Sequence, residues 1–450
     1  MIILTKTDAK NTICIFISIT ILLPFAYFPI SFGPVYAQTE SGSAVSGSPC
    51  IAYDAEARLI TISCKSSSIS DVYSRLKDNS VLSKQNVTSG NKNQWLLNAG
   101  IVVSQGSTLY INSTDTSWLK IASADTESAN GINVFGGLKI DSVKITSWSP
   151  EQNDFVKFEH DILPSRELEK SDINMVPRPY LRIHDDATGT MDITNSELAY
   201  LGYESEEDGL GRGGLHYYGG TGSIIKGNQI HHNNWGFYSS GVGNIVIENN
   251  RVHHNYMYGF DPHTATHDMV IRNNTVHDHG AMGIICSLDC YNITIEDNEV
   301  YSSAGSGIML SRNMHDSIVR NNYVHNEEQC IFASASHNNE IYSNNVENCG
   351  NGIYLKSESS SNNIYNNTIK DTENGFLVNT GASDNRIHSN TIINATELGI
   401  SNGEDAGDGN TFTDNALINA TLISQDEGEA EAEEEGEEGE DEDEGEEEGE

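Results

Sequence analysis

The stretch YGFDPHTATHD, residues 258–268, carries the residue types best suited to moving a proton. Histidine is the side chain most able to accept a proton near neutral pH. His263 follows Asp261 by two residues, a spacing at which a carboxylate can orient an imidazole or raise its basicity. The chain has 15 histidines, so the type alone decides nothing. His231, His232, His253, His254, His277 and His325 recur shortly after an asparagine and read as turn residues, whereas His263 stands outside that slot. Pro262 lies between the two candidates. Proline removes a ladder hydrogen bond and is restricted to sheet edges or bulges, so a bulge that pushes His263 outward is expected here.

What must position these residues is a repeat. From residue 193 onward the chain repeats apolar-x-x-Asn-x-apolar, with asparagines at 228, 250, 274, 298, 322, 344, 367 and 390, spaced by 22 to 24 residues. A glycine before an apolar residue runs in step, as in Gly236-Phe237, Gly259-Phe260, Gly283-Ile284 and Gly307-Ile308, with Cys330-Ile331 filling one slot. The segments are rich in Ile, Val, Thr and Tyr, alternate in polarity and lack a helical stretch between them, which excludes a leucine-rich repeat. The pattern predicts an all-β fold, a right-handed parallel β-helix of three short strands per coil. The asparagines would stack as an amide ladder and take left-handed turn geometry.

In a solenoid, equal repeat positions form rows whose members lie ~4.8 Å apart. Two places after the glycine marker, the row reads His216, Tyr238, Asp261, Ile285 and Met309. Four places after it, the row reads Tyr218, Ser240, His263, Ser287 and Ser311, with Arg312 next. Alternation puts both rows on one face. Tyr217, Tyr256, Tyr258 and Trp235 lie around them. Aromatic rings beside polar groups suit a carbohydrate surface, because sugar rings offer C–H faces to aromatic planes. The expected catalytic set is His263, Asp261, Tyr218 and Arg312. The expected binding set is His216, Tyr217, Tyr238, Tyr258, His267, Ser287 and Ser311.

Around this core the chain divides into four parts. Residues 1–37 read as a secretory signal, with Lys6 and Lys10 before an apolar run and Val35-Tyr36-Ala37 as a cleavage site. The run is broken by Pro24 and Pro29, which argues against a stable membrane anchor. Residues 38–90 lack the repeat and would cap the first coil, 91–424 form the β-helix, and 425–450 form a disordered acidic tail. The insertions at 150–178 and 204–213 are charged and could wall a groove. Net charge is −40, of which 18 charges belong to the tail, leaving an acidic body. Nucleic acid is therefore an unsuitable partner. Calcium is the ion such a tail could attract. Of six cysteines beyond the signal, Cys50 with Cys64 is the first expected disulfide, and Cys330 and Cys349 are nearly one repeat apart. Cys286 and Cys290 have no zinc-spaced partners.

The stretch from Tyr258 to Asn313 resembles the periplasmic mannuronan C5-epimerases that edit alginate, parallel β-helix enzymes of the carbohydrate-binding and sugar-hydrolase repeat group. The matching pieces are Asp261-Pro262-His263, then His267, NNTVHD, GIICS from Gly283, and SGIMLSRN ending at Asn313. The resemblance implies His263 as base and Asp261 as its partner. It departs at Thr264, where the family has Asp, and at Leu288, where the family places a carboxylate-neutralising arginine. Arg312 keeps a later one. The implied activity is C5 epimerisation of a uronan. The base takes the C5 proton, a donor such as Tyr218 or Tyr238 returns one on the other face, and no cofactor is demanded. The same intermediate leads to β-elimination if the C4 oxygen is protonated first. A glycosidase would need two carboxylates, for which Asp261 and Asp289 are the candidates. A non-catalytic carbohydrate-binding or cell-surface solenoid is the remaining alternative.

Overall fold

The computed structural model describes residues 49–85, 93–123, 130–158, 177–203 and 213–423. The expected signal segment, most of both charged insertions and the acidic tail lie outside the described residues. The rest is a right-handed parallel β-helix whose strands form three long sheets, of 15, 13 and 14 strands among the described residues. Each coil contributes one strand to each sheet, and the pairing is parallel from coil to coil.

The N-terminal end breaks this rule. Ile51–Asp54 pairs antiparallel with Leu59–Ile62, and Leu82–Gln85 pairs antiparallel with Gln94–Leu97. Between these pairs lies one helix, Ile69–Leu76. Its start is set by a capping box of Ser68 and Asp71, and its end by Lys77 in the left-handed region at φ 52°. Ile69 and Val72 are its buried side. The Cys50–Cys64 disulfide ties the first hairpin.

The interior is built from stacked identical positions. Phe237, Phe260, Ile284, Ile308, Ile331 and Ile353 are successive register partners in the first sheet, and all are fully buried. Burying each such side chain contributes ~1.5–3 kcal/mol, which a solenoid collects once per coil and row. The asparagine ladder forms as expected. Asn250 Oδ1 accepts from both the backbone N–H and Nδ2 of Asn228, each at 2.9 Å. Its own Nδ2 donates to Ile225 O at 3.0 Å and to Asn274 Oδ1 at 2.9 Å. The left-handed residue, however, is the one before each ladder asparagine, such as Asn249 at φ 57° or Asn273 at φ 52°. A second amide ladder, through Asn339, Asn362 and Asn385, runs beside it.

Cys330 and Cys349 bridge adjacent coils. The third disulfide that six cysteines permit does not form; Cys286 and Cys290 are buried free thiols. No helix among the described residues is long and apolar enough to cross a membrane.

Candidate active site

The site lies on the outer face of the first sheet, where five strands follow one another: Gly214–Tyr217, Trp235–Ser240, Phe260–His263, Ile284–Ser287 and Ser306–Ser311. Their register makes His216, Tyr238 and Asp261 neighbours in one row. It makes Ser240, His263, Ser287 and Ser311 neighbours in the next. Both rows are those the repeat spacing predicts.

His263 is partly buried, and both its ring nitrogens are engaged. Nδ1 lies 2.6 Å from Thr264 Oγ1. Nε2 lies 3.2 Å from Nη2 of Arg312. A guanidinium can only donate, so Nε2 accepts and the proton of the neutral ring sits on Nδ1, donated to Thr264. Burial, with the Arg312 charge adding to it, lowers the His263 pKa to about 4. The ring is thus an unprotonated base at neutral pH, and its lone pair points at the arginine. Arg312 reaches this place from a left-handed turn at φ 47°, steadied by its Nε donating to Ser287 Oγ at 2.9 Å.

Two tyrosines follow one another from the base toward the N-terminus, Tyr238 next to His263 and Tyr218 beyond it with its ring 6.0 Å from that of Tyr238. Tyr238 is buried with its ring 5.6 Å from that of His263, and Ser240 and Thr264 hydrogen-bond its hydroxyl. Burial keeps this phenol protonated far into the alkaline range. Tyr218 is half-buried, its hydroxyl has no protein partner, and burial raises its pKa to about 12. A cavity of about 340 Å³ opens beside Tyr218, bordered by Asp185, Thr188, Thr190 and Gly241.

Several expected roles need correction. Tyr217 faces the interior, as alternation from His216 dictates. It is fully buried against Phe237, and its hydroxyl donates to Met191 O at 3.0 Å. His216 is also fully buried, stacked on Trp235, with Nε2 accepting from the Gly213 N–H at 2.9 Å. It therefore positions Trp235 and the end of the 204–213 insertion rather than touching a ligand. His267 sits in a turn row next to the sheet, stacked on Tyr291 and bonded to Asp268. Asp261 does not hold the His263 ring, because Thr264 occupies Nδ1. Its Oδ1 is buried without a hydrogen-bond partner, and burial pushes its carboxyl well above the usual range. The expected bulge at Pro262 is absent as well. Phe260 and His263 keep register with both neighbouring strands, and the Pro262 carbonyl is met by the Cys290 thiol at 3.4 Å. Tyr258 is half-buried near Trp235, and Ser287 and Ser311 are buried beneath Arg312 and its strand. Asp289 occupies a left-handed turn bonded to Asn313, so it does not complete a carboxylate pair with the buried Asp261.

Residues missed in the sequence extend the rows toward the N-terminus. Arg182 is the register partner of both Asn133 and His216. His184, two places on, faces Asn133 Oδ1 at 3.0 Å and is brought down to about 4 by burial. The insertion at 204–213 makes this step longer than the regular period, which hid them from alignment on the repeat.

Residues 202–383 match the family described as periplasmic copper-binding protein (NosD). Among solved structures, the periplasmic alginate epimerase AlgG superposes with a TM-score of 0.62 at 18% identity, covering 80% of this chain and 85% of that one. The A-module of the mannuronan C-5 epimerase AlgE4 of Azotobacter vinelandii gives 0.40 at 13% identity, covering 72% and 87%. At these identities the likeness to AlgG is a likeness of fold. No curated protein matches the chain in sequence.

Proposed function

We propose that the chain is a polysaccharide-modifying protein that epimerises uronan residues, poly-mannuronate first, at C5. The observation that carries this reading is the pairing of Arg312 with His263, a cation and a neutral base 3.2 Å apart in one open row. A uronate C5 proton becomes acidic only when its carboxylate is neutralised, because the carbanion delocalises into it. When the carboxylate takes Arg312, the guanidinium leaves Nε2, and the freed lone pair faces the C5–H. The C–H bond then breaks, the proton goes to Nε2, and the electron pair moves into the carboxylate. Reprotonation at C5 from the opposite face, by the Tyr218 hydroxyl or a water, gives the epimer. The proton on Nδ1 stays with Thr264 throughout. A polysaccharide partner is also favoured by the fold of AlgG, whose name states an alginate epimerase. The two disulfides fit an extracytoplasmic compartment.

Proton NMR of polymannuronate incubated with the full chain in heavy water tests this. Deuterium at C5 and new guluronate signals are expected, with both lost in His263→Ala. Unsaturated chain ends in place of guluronate would assign elimination instead. Absence of any exchange, with a β-rich circular dichroism spectrum intact, would refute uronan chemistry at this site.

A further inference from the structure

The row that carries His263 does not end at the base. Its register partners toward the C-terminus are Ser287, Ser311, Ser334 and Lys356, one per coil. The row beside it, which carries Asp261, runs on through Met309, Phe332 and Tyr354. Three serines therefore separate a base at one end from an ammonium at the other, with an apolar and aromatic rim along one side. Each coil advances the row by ~4.8 Å, about the length of one pyranose unit in an extended chain.

Lys356 is half-buried, and its ammonium is held at the rim by two rings. Nζ lies 5.4 Å from the centroid of Phe332 and 6.0 Å from that of Tyr354, and these rings stack on each other at 5.1 Å. Attraction to the ring π-systems operates at this range. The charge thus stands between the third and fourth coils beyond His263. Elsewhere on the outer faces, cations are met by a carboxylate one coil away. Lys226 pairs so with Glu248 at 2.7 Å, Arg320 with Glu296 at 2.5 Å and Lys370 with Glu347 at 2.9 Å. The register partner of Lys356 is instead Ser334, and among the described residues Lys356 makes no ion pair. Arg312, the other cation of this stretch, has its guanidinium at the base, 3.2 Å from Nε2 of His263.

We propose that Lys356 is a second carboxylate-binding point for the same polysaccharide chain, three to four sugar units from the unit held at Arg312. The inference rests on the uronan reading above and deepens it, because it sets a minimum chain length. A gap of three to four coils is ~14–19 Å, which only a chain of four or more units bridges. The serines suit the interval: they are small enough to leave room for the intervening units, and their row continues directly from the base. An ammonium without a carboxylate of its own favours a polyanion over a neutral chain of the same shape.

The test is calorimetric titration of the full chain at low salt with mannuronate oligomers of three and six units, beside Lys356→Gln and Lys356→Arg. The native chain is expected to bind the hexamer more tightly than the trimer. Lys356→Gln should weaken hexamer binding roughly two- to fivefold, the effect of losing one partly exposed ion pair. It should leave trimer binding unchanged, and its effect should shrink as salt is raised. Lys356→Arg should keep the native hexamer affinity. Equal hexamer affinity in the native chain and Lys356→Gln, or an equal loss for trimer and hexamer, would overturn the second contact while the uronan reading stands. If neither oligomer binds the native chain, the uronan reading itself falls and this contact with it.

Discussion

Thr264→Asp should raise the pKa of His263 by about one unit. The geometry for such a pair already exists three times in this molecule. His267, His277 and His315 each hold the carboxylate of the next residue at 2.6–2.8 Å from Nδ1, with that residue left-handed at φ 50–57°. Thr264 is left-handed too, at φ 33°, a conformation that a β-branched residue adopts under strain and that aspartate tolerates better. Replacing its hydroxyl by a carboxylate turns a neutral hydrogen bond, worth ~0.5–1.5 kcal/mol, into a charge-assisted one worth ~1.5–3 kcal/mol. The difference of ~1–1.5 kcal/mol stabilises the protonated ring and corresponds to about one pKa unit. His263 would move from about 4 toward roughly 5. The sign follows from charge: the added anion favours imidazolium, whereas Arg312 opposes it. The readout is the His263 Cε1–H resonance titrated by proton NMR, with His263→Ala to assign it. If the reaction proposed above operates, the acid limb of the rate profile should shift upward by the same amount. An unchanged or lowered pKa in a folded variant would show that residue 264 does not hold Nδ1, and the tautomer argued for the base would fall with it.

Two further perturbations probe the scaffold. Asn298→Ala removes the acceptor for two donors of Asn274, each at 3.0 Å, and the donors to Ile271 O and Asn322 Oδ1. With several groups left unpaired in the interior, a loss of ~3 kcal/mol or more is expected in urea unfolding, and a loss below the range for a surface substitution would contradict a structural ladder. Glu327 is buried with both carboxylate oxygens on the Ser303 N–H, and burial raises its pKa to about 8. Its folded pKa is above its unfolded value, so the folded state binds the extra proton between about 4.5 and 8 and loses that contribution as pH rises through this window. Thermal stability should fall between pH 5 and 8 more steeply in the native chain than in Glu327→Gln, as followed by circular dichroism; parallel profiles would place the proton elsewhere.

The fold was legible because a solenoid writes its geometry once per coil. Asparagines every 22–24 residues and a glycine in step fix the period, and the period alone places His263 beside Ser240 and Ser287. The same counting failed wherever the period was interrupted. Arg182 and His184 precede an insertion, and nothing in the spacing links them to His216. Rows also say which residues neighbour one another but not how deep each lies. His216 and Asp261 were correctly placed in their row, yet both are covered, His216 beneath Trp235 and Asp261 with its Oδ1 sealed from any partner. Tyr217 was misjudged by proximity in sequence, although alternation already set it on the inner face. The partner of His263 was concealed because Thr264, the next residue, holds Nδ1 without disturbing the register.

The uronan substrate proposed above is at odds with an acidic chain only if charge is taken as an average. Within the two groove rows between His216 and Ser311, the only carboxyl among the described residues is Asp261, and burial without a hydrogen-bond partner pushes its pKa well above the usual range. The cations on or beside these rows are Arg312 and, three coils toward the N-terminus of His263, Arg182. That separation is ~14 Å at the strand spacing, further than a Debye length of ~8 Å in physiological salt. The two arginines are therefore largely screened from each other, and Arg312 is the cation that acts on His263. Burial of Asp261 favours its protonated form, which would leave Arg312 as the charge that a bound carboxylate and the base of the proposed reaction both meet.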